Sequence, residues 1–332
     1  MADKAREWTD EQLEKLEKKI SQTYKQAEKE LTEKWNAYMK EGEARLSALE
    51  QAVSDAKKSG DKDLIKKAQD KLQKAKESYT LQNTHYKEMV DSVTMDIAKV
   101  NQQALTYING QLPNIYATNY EQVKDVLDDL PISFSLHDKS TVMRMIDKGD
   151  IKLPKKKINI PKDQRWNTKK INSSVLQGIL QGEPMDKIAN RLFPIVDNNK
   201  VSAMRNARTL VTGAENRGRL DSYKELEEQG IVLKKVWIAT GDNRTRDWHL
   251  EMDGQEVDID ENFVDGNGNE LEYPADPSAE PETVYNCRCS MRTHVVGFRR
   301  DDGSIKRIDY ERDDTRHSKE IFYETHRRMK VQ

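Results

Sequence analysis

Residues 200–239, KVSAMRNARTLVTGAENRGRLDSYKELEEQGIVLKKVWIA, contain the change of pattern that decides the fold class. The first thirty residues of this stretch predict a long helix. Gly230 suits its C-terminal cap because glycine adopts the left-handed conformation at little cost. Residues 231–239 are rich in β-branched side chains and predict a strand. A long helix followed by strands indicates an α+β fold.

Further strands are predicted after this change of pattern, at residues 254–257 and 286–296. Between them, Asp-Gly-Asn-Gly-Asn at 265–269 is a turn signal that predicts a hairpin. Residues 230–299 therefore predict a small antiparallel sheet with a few helical turns.

Before residue 200, the sequence predicts two long helices. A turn at 59–61 separates them, and Gly110 with Pro113 is predicted to end the second. Two helices joined by a short turn pack antiparallel, so the pattern predicts a helical hairpin arm. A plain hairpin is one interpretation, and an arm that reaches a neighbouring subunit through Trp35, Tyr38, Tyr79 and Tyr86 is the other. The apolar stripe of the first helix consists of Leu13, Leu16, Ile20, Tyr24, Ala27, Leu31, Trp35 and Tyr38.

The composition excludes several classes of protein. Apolar residues make up 35% of the chain and charged residues 34%, a balance typical of much solvated helix around a modest core. A run of about 18 apolar residues, which a membrane span needs, is missing from the sequence. The N-terminal stretch is polar, so no secretory signal is expected. Two cysteines cannot build a disulfide scaffold.

These patterns divide the chain into four predicted segments. They are a helical hairpin arm at 1–112, a helical and basic connector at 113–182, an α+β head domain at 183–299 and a charged tail at 300–332.

Residues 152–170 form a basic run, with eight Lys or Arg and one acid, Asp163. With Trp166 this run could contact nucleic acid phosphates, or it could be a solvated connector leading into a helix near 169–180. The candidate nucleic-acid contacts are Lys155, Lys156, Lys157, Lys162, Arg165, Lys169 and Lys170.

Four motifs follow one another between residues 207 and 289. They are Ala207-Arg208-Thr209, Thr240-Gly241-Asp242-x-Arg244-Thr245-Arg246-x-x-His249, Asp253-Gly254-Gln255 and Asn286-Cys287-Arg288-Cys289. In order and spacing they resemble the phage Mu F-like minor head proteins, or head morphogenesis proteins, of tailed bacteriophages. The resemblance covers about residues 180–298. The chain departs from the family at Leu210, where members commonly have Glu.

The resemblance implies a structural minor capsid protein that acts in head morphogenesis at the portal vertex of the procapsid and is packaged and ejected with the genome. The implied partners are the portal protein, the major capsid or scaffolding protein and packaged DNA, without a membrane. The implied location is the virion, in the capsid interior or at the portal vertex, and the host cytoplasm during assembly. No enzymatic activity is expected.

Two other functions stay open. One is an enzyme with an ADP-ribosyltransferase-like or metal-dependent head domain and Arg208, Arg246 or His249 in its site. The other is a DNA-binding assembly factor that uses the basic run at 152–170 and the basic C-terminal tail.

The residues around Asp242 suggest a local role of their own. If the turn after the strand opens a helix, Asp242 can cap it, and Arg246 and His249 share a face. Arg244 or Arg246 can form a bidentate pair with a nearby carboxylate, either Asp253 or Glu251. The simpler interpretation is a hydrogen-bonded turn that pins the strand to the sheet. The predicted structural-motif residues are Arg208, Thr209, Asp242, Arg244, Arg246, His249, Asp253, Gly254, Asn286, Cys287 and Cys289.

Cys287 and Cys289 form the one candidate metal site. On a strand, residues two apart point to the same face, so both thiols could bind zinc with His249, with His294 as a further donor. Arg288 would then point to the opposite face, free for a partner. The alternative is two small buried side chains without a metal. No other cofactor is expected.

Overall fold

The computed structural model describes residues 3–78, 84–127, 134–154, 156, 159–181, 183, 187, 190–300 and 302–307. None of the helices within these ranges is long and apolar enough to cross a membrane. The helices are α1 (Lys4–Ser59), α2 (Lys62–Ser78), α3 (Thr84–Glu121), α4 (Val123–Leu127), α5 (Lys139–Lys148), α6 (Ile160–Leu180), α7 (Phe193–Glu228), α8 (Asp247–Glu251) and α9 (Pro281–Val284). The strands are β1 (Ile231–Ile238), β2 (Glu256–Asp258), β3 (Phe263–Val264), β4 (Glu270–Leu271), β5 (Ser290–Arg299) and β6 (Ile305–Arg307).

The chain forms two compact units, each assembled from separated segments. The sheet unit consists of residues 1–16, 107–156 and 205–332, and the helical unit of residues 17–106 and 157–204. Helices with a small antiparallel sheet confirm the predicted α+β class. The predicted segment boundaries at 112, 182 and 299 stay a prediction.

The helical unit buries the part of the predicted α1 stripe that lies within it, from Ile20 to Tyr38. Trp35 is completely buried, Tyr38 is nearly so, and the Trp35 ring meets the buried Tyr86 edge to face at 6.4 Å. The expectation that these aromatic side chains meet a neighbouring subunit is therefore wrong, because the chain itself covers them. Tyr79, the fourth residue of that expectation, lies outside the described residues.

A line of polar side chains joins four helices inside the helical unit. The Tyr24 hydroxyl donates to Asn101 at 2.6 Å, and the Asn101 amide donates to Asn199 at 2.8 Å. Asn199 in turn donates to Asn167 at 3.0 Å. Buried amides are costly without partners, so this line fixes how α1, α3, α6 and α7 pack within the unit.

The prediction that Gly110 and Pro113 end the second helix is wrong, since α3 continues to Glu121. Proline in a helix interior costs about 3 kcal/mol. The turns that follow it place Ile115 and Tyr116 in the interior of the sheet unit, fully buried. Burying two large side chains yields roughly 3–6 kcal/mol, which offsets that cost.

The sheet has the strand order β2-β1-β5-β6 and is antiparallel throughout its described strands. The strand predicted at 231–239 is confirmed as β1, and Gly230 ends α7 with φ +86° as predicted. The hairpin at 265–269 is confirmed too, since Asp265 accepts hydrogen bonds from the backbone of Asn267 and Asn269 between β3 and β4. One face of the sheet packs on α7, through Leu220, Tyr223, Leu226, Leu233, Trp237, Met291 and Val295.

The predicted strand at 286–296 begins later than the sequence suggested. β5 starts at Ser290, and Asn286 takes the left-handed conformation with φ +57°. Cys287 and Cys289 therefore lie in the segment that leads into the strand rather than on it.

Candidate functional site

Asp242 and Arg288 form the ion pair at the centre of the motif region. The two guanidinium nitrogens of Arg288 lie 2.5 and 2.6 Å from the Asp242 carboxylate oxygens, a bidentate pair. Hydrogen bonding from Arg288 holds the pKa of Asp242 far below its usual range, although partial burial opposes the shift. Arg288 is thus engaged within the chain, and the expectation that it is free for a partner is wrong.

Asp242 does not cap the following helix, contrary to prediction. Its carboxylate accepts from the Arg244 backbone at 3.0 Å and the Thr245 hydroxyl at 3.1 Å, which closes the turn before α8. The N-cap position of α8 is Arg246, whose side chain makes no capping bond. Arg246 instead donates to the Tyr285 carbonyl, 2.5 Å away, so it does not fork a carboxylate.

Asp253 and Gly254 close the loop back onto β1. The Asp253 carboxylate accepts from the Ala239 backbone at 2.9 Å, and Gly254, with φ +75°, donates its backbone N–H to Trp237. An L side chain is strained at this φ, which explains glycine in the motif. These contacts support the interpretation of the motif as a turn that pins the strand to the sheet.

A polar face of α7 holds the cysteine segment, and sequence analysis missed most of it. Thr209 accepts from the Asn286 backbone at 3.1 Å, and Thr212 donates to the Cys287 carbonyl at 2.9 Å. Asn216 donates to the Cys289 carbonyl at 3.2 Å. The spacing of three and four residues between these polar side chains was the signal in the sequence, because it places them on one helix face.

His249, Cys287 and Cys289 come together in the interior of the sheet unit. Their exposed fractions are 1, 1 and 2%, and the His249 Nδ1 atom lies 3.8 Å from the Cys287 Sγ and 3.6 Å from the Cys289 Sγ. The His249 ring stands edge to face with Trp237 at 5.5 Å. Its Nε2 atom is buried and has no hydrogen-bond partner among the described residues.

The neighbouring Cys289 side chain lowers the pKa of Cys287, and the Cys287 side chain raises that of Cys289. Burial raises both pKa values, and the nearby His249 lowers that of Cys289. His294, the further donor considered from the sequence, lies elsewhere on β5, where its Nε2 is 3.7 Å from Glu256. It therefore takes no part in this cluster.

These positions do not favour the predicted enzyme site. His249 is buried, Arg246 is bound to a backbone carbonyl, and Arg208 is half-buried. A general acid or base must reach a proton on its substrate, which a fully buried imidazole does not. Leu210, where the family commonly has Glu, is half-buried as well.

Five of the seven predicted nucleic-acid contacts lie among the described residues, one in the sheet unit and four in the helical unit. Lys155 and Lys157 lie outside the described residues. Lys156 belongs to the sheet unit, where it donates to Asn206 at 2.8 Å and lies 5.8 Å from the Tyr285 ring centre. The other four, Lys162, Arg165, Lys169 and Lys170, lie on α6 in the helical unit.

The family whose model matches the chain is described as "Phage Mu protein F like protein", and the match covers residues 169–292. The minor head protein GP7 of Bacillus phage SPP1 is 25% identical over 311 residues, which span 90% of this chain and 94% of GP7.

Two further relatives match over shorter stretches. The NAD(+)–arginine ADP-ribosyltransferase EFV of Enterococcus faecalis is 33% identical over 128 residues, 39% of this chain and 26% of the transferase. The uncharacterized protein YqbB of Bacillus subtilis is 26% identical over 131 residues, 38% of this chain and 42% of YqbB. The chain thus spans about a quarter of the transferase and less than half of YqbB. No solved structure matches the chain significantly.

Proposed function

We propose that this chain, a member of the phage Mu F-like family of head proteins, is a minor head protein with a structural role in head morphogenesis. The observation that carries the proposal is similarity to a phage minor head protein along nearly the full length of both chains, 90% and 94%. The similarity therefore extends beyond the matched domain at residues 169–292 into the long helices.

The chemistry of the motif residues supports a structural role without catalysis. Asp242 is paired with Arg288, and Asp253 and Thr209 bind backbone groups. Each of these polar side chains satisfies another group of the same chain. We assign the chain no enzymatic activity.

The similarity to the ADP-ribosyltransferase does not favour an enzyme. Its aligned length, 128 residues, is close to that of the segment matched by the phage family model, 169–292, and it covers 26% of the transferase. We infer that the two proteins share a phage Mu F-like domain and that the transfer chemistry belongs to the remainder of the transferase.

The proposed location is the portal vertex or interior of the head, with the portal protein and the major capsid or scaffolding protein as partners. Quantitative mass spectrometry of purified procapsids, mature virions and DNA-emptied particles tests this location. We expect a few copies of the chain per particle, and loss on emptying if it is ejected with the genome. Absence from every particle, with abundant soluble protein in the infected cell, would contradict the proposal.

Binding to packaged DNA is a second candidate function, and one face of α6 favours it. Lys162, Arg165, Lys169 and Lys170 are all exposed, and Trp166 among them is 42% exposed. The spacing of three and four residues places basic side chains on one side of the helix beside an aromatic ring. Cationic side chains neutralise phosphates, and exposed aromatic rings stack on unpaired bases.

Replacing Lys162, Arg165, Lys169 and Lys170 together with alanine should weaken DNA binding and reduce its salt dependence. Each lost phosphate contact lowers the slope of log affinity against log salt by about 0.9 on duplex DNA, so the slope should fall by up to about 3–4. Fluorescence anisotropy with a duplex at several salt concentrations measures both quantities.

The matched control removes four exposed lysines from α2 in the same unit, namely Lys66, Lys67, Lys71 and Lys74. The control changes the net charge equally. If it reduces the slope as much as the α6 variant does, binding follows net charge and α6 is not the DNA-contacting face.

A further inference from the structure

We propose that His249, Cys287 and Cys289 form a buried zinc site, which binds one Zn²⁺ ion per chain within the phage Mu F-like domain. The proposal depends on the positions of these three side chains and stands whether or not the chain is a minor head protein.

The separations between the three donor atoms fit a tetrahedral ion. With Zn–S near 2.3 Å and Zn–N near 2.0 Å, tetrahedral angles place N and S about 3.6 Å apart and two S atoms about 3.8 Å apart. The His249 Nδ1 atom lies 3.6 and 3.8 Å from the two sulfurs, and the ligand atoms all lie within 4.8 Å of one another. An ion can therefore be bound with little movement of the backbone.

Hydrogen bonding alone accounts less well for this arrangement. The imidazole Nδ1 offers either one lone pair or one N–H, yet two sulfurs converge on it. One of the two S···N contacts therefore cannot be a good hydrogen bond. A cation is attracted to all three donors at once, and two thiolates with Zn²⁺ give a neutral assembly, which is far less costly to bury than separate charges.

The backbones of both cysteines are fixed independently of any ion. Thr212 binds the Cys287 carbonyl, Asn216 binds the Cys289 carbonyl, and the Cys287 N–H donates to the Val284 carbonyl at 3.2 Å. These contacts hold the two thiols toward His249. Binding then costs little conformational freedom, which favours affinity.

The donor types select the ion. Thiolate and imidazole ligands suit zinc and other soft or borderline metals, whereas magnesium and calcium require oxygen ligands. Within the described ranges the cluster contributes three side chains, so a fourth position of a tetrahedral ion is left for water or another oxygen ligand.

Metal analysis of the untagged full-length chain tests the proposal. Protein expressed with zinc in the medium and dialysed against a weak chelator should retain about one zinc per chain. Exchange into Co²⁺ should give a sulfur-to-cobalt charge-transfer band and tetrahedral visible bands, which nitrogen and oxygen ligands do not produce together. Removal of zinc by a strong chelator should lower the melting temperature, and zinc should restore it.

Variants separate this site from adventitious binding. Cys289→Ser and His249→Ala should lose at least nine tenths of the bound zinc. His294→Ala, which removes a histidine outside the cluster, should keep all of it. A His249 variant that keeps full zinc occupancy would overturn the proposal.

Because the cluster is buried, its variants can fail to fold, so the wild-type protein gives the decisive result. A folded wild-type chain that takes up neither zinc nor cobalt overturns the proposal. A second result would also overturn the proposal. If thiol titration of the denatured protein, purified under reducing conditions, detects no free thiol, the two cysteines are joined in a disulfide.

Discussion

Replacing Arg219 with alanine is expected to lower the free energy of unfolding by about 3–5 kcal/mol, which is the usual cost of removing one partner of a buried ion pair. The Arg219 side chain is completely buried in the sheet unit. Its guanidinium lies 2.6 and 3.1 Å from the Asp3 carboxylate and also donates to Asn119 and to the Met291 carbonyl. The variant removes the guanidinium donor from these acceptors and leaves the buried Glu215 without the cation 3.3 Å away.

Urea unfolding of the full chain followed by circular dichroism measures the loss. Arg244→Ala is the matched control, because the Arg244 side chain is 70% exposed and its ion pair with Asp242 is 3.4 Å long. Exposed pairs of this kind contribute about 0–1 kcal/mol. A loss below about 1 kcal/mol in Arg219→Ala would show that its buried partners find other donors.

The coupling between Arg219 and Asp3 can be measured separately. Their bidentate contact joins α7 to the residue just before α1. In a double-mutant cycle with Asp3→Ala, the second substitution should cost less once the first is present. Additive effects would mean that Asp3 does not contribute to holding the buried guanidinium.

The pattern of the sequence could not predict the Arg219 network. Arg219 and Asp3 are 216 residues apart, and Arg219 and Asn119 are 100 apart. An arginine in a helix is solvated in most proteins, so only the packing reveals that this one is buried. The Arg288–Asp242 pair was missed for the same reason, although both residues lie in recognised motifs.

Local features were predicted better, because they depend on neighbours in the chain. β-branched residues indicated β1, and the turn residues at 265–269 indicated the β3–β4 hairpin. The predictions failed where tertiary burial outweighs local preference, as in α3 beyond Pro113. The start of α6 was also predicted wrongly, near residue 169. The helix begins at Ile160, because the Asn159 side chain accepts a hydrogen bond from the Lys162 backbone and caps its N-terminus.

The zinc candidate illustrates what spacing alone can and cannot provide. Two cysteines two apart were expected to share a face because of a strand, and the strand begins only after them. They converge instead because Thr212 and Asn216 hold their carbonyls. Choosing between His249 and His294 required the fold, since nothing local distinguishes the two.

Replacing Gly218 with alanine is expected to cost about 3 kcal/mol of unfolding free energy, at the upper end of the range for overpacking. A Cβ atom at this position would lie 2.3 Å from the Tyr116 carbonyl oxygen and 3.2 Å from the Tyr120 backbone nitrogen. Both are backbone atoms of α3, which cannot rotate away as a side chain can. α7 and α3 therefore cross with their backbones in contact at this glycine.

The two helices cannot easily separate to admit the methyl group. The Tyr116 hydroxyl donates to Asp221 at 2.6 Å, and Arg219 donates to Asn119, so hydrogen bonds lie on both sides of Gly218. Moving α3 outward would break both. Helix propensity alone favours alanine over glycine by up to about 1 kcal/mol. The cost of the clash with the α3 backbone must therefore exceed this gain for Gly218→Ala to be destabilising.

Gly110→Ala in α3 isolates that gain, because a Cβ atom there meets nothing within 4 Å. This control should raise the free energy of unfolding by about 0.5–1 kcal/mol, whereas Gly218→Ala lowers it. Opposite signs for the same substitution in two helices would identify the backbone contact as the cause. If Gly218→Ala is also stabilising, α3 and α7 move apart at Tyr116 without cost and the backbone contact does not limit their packing.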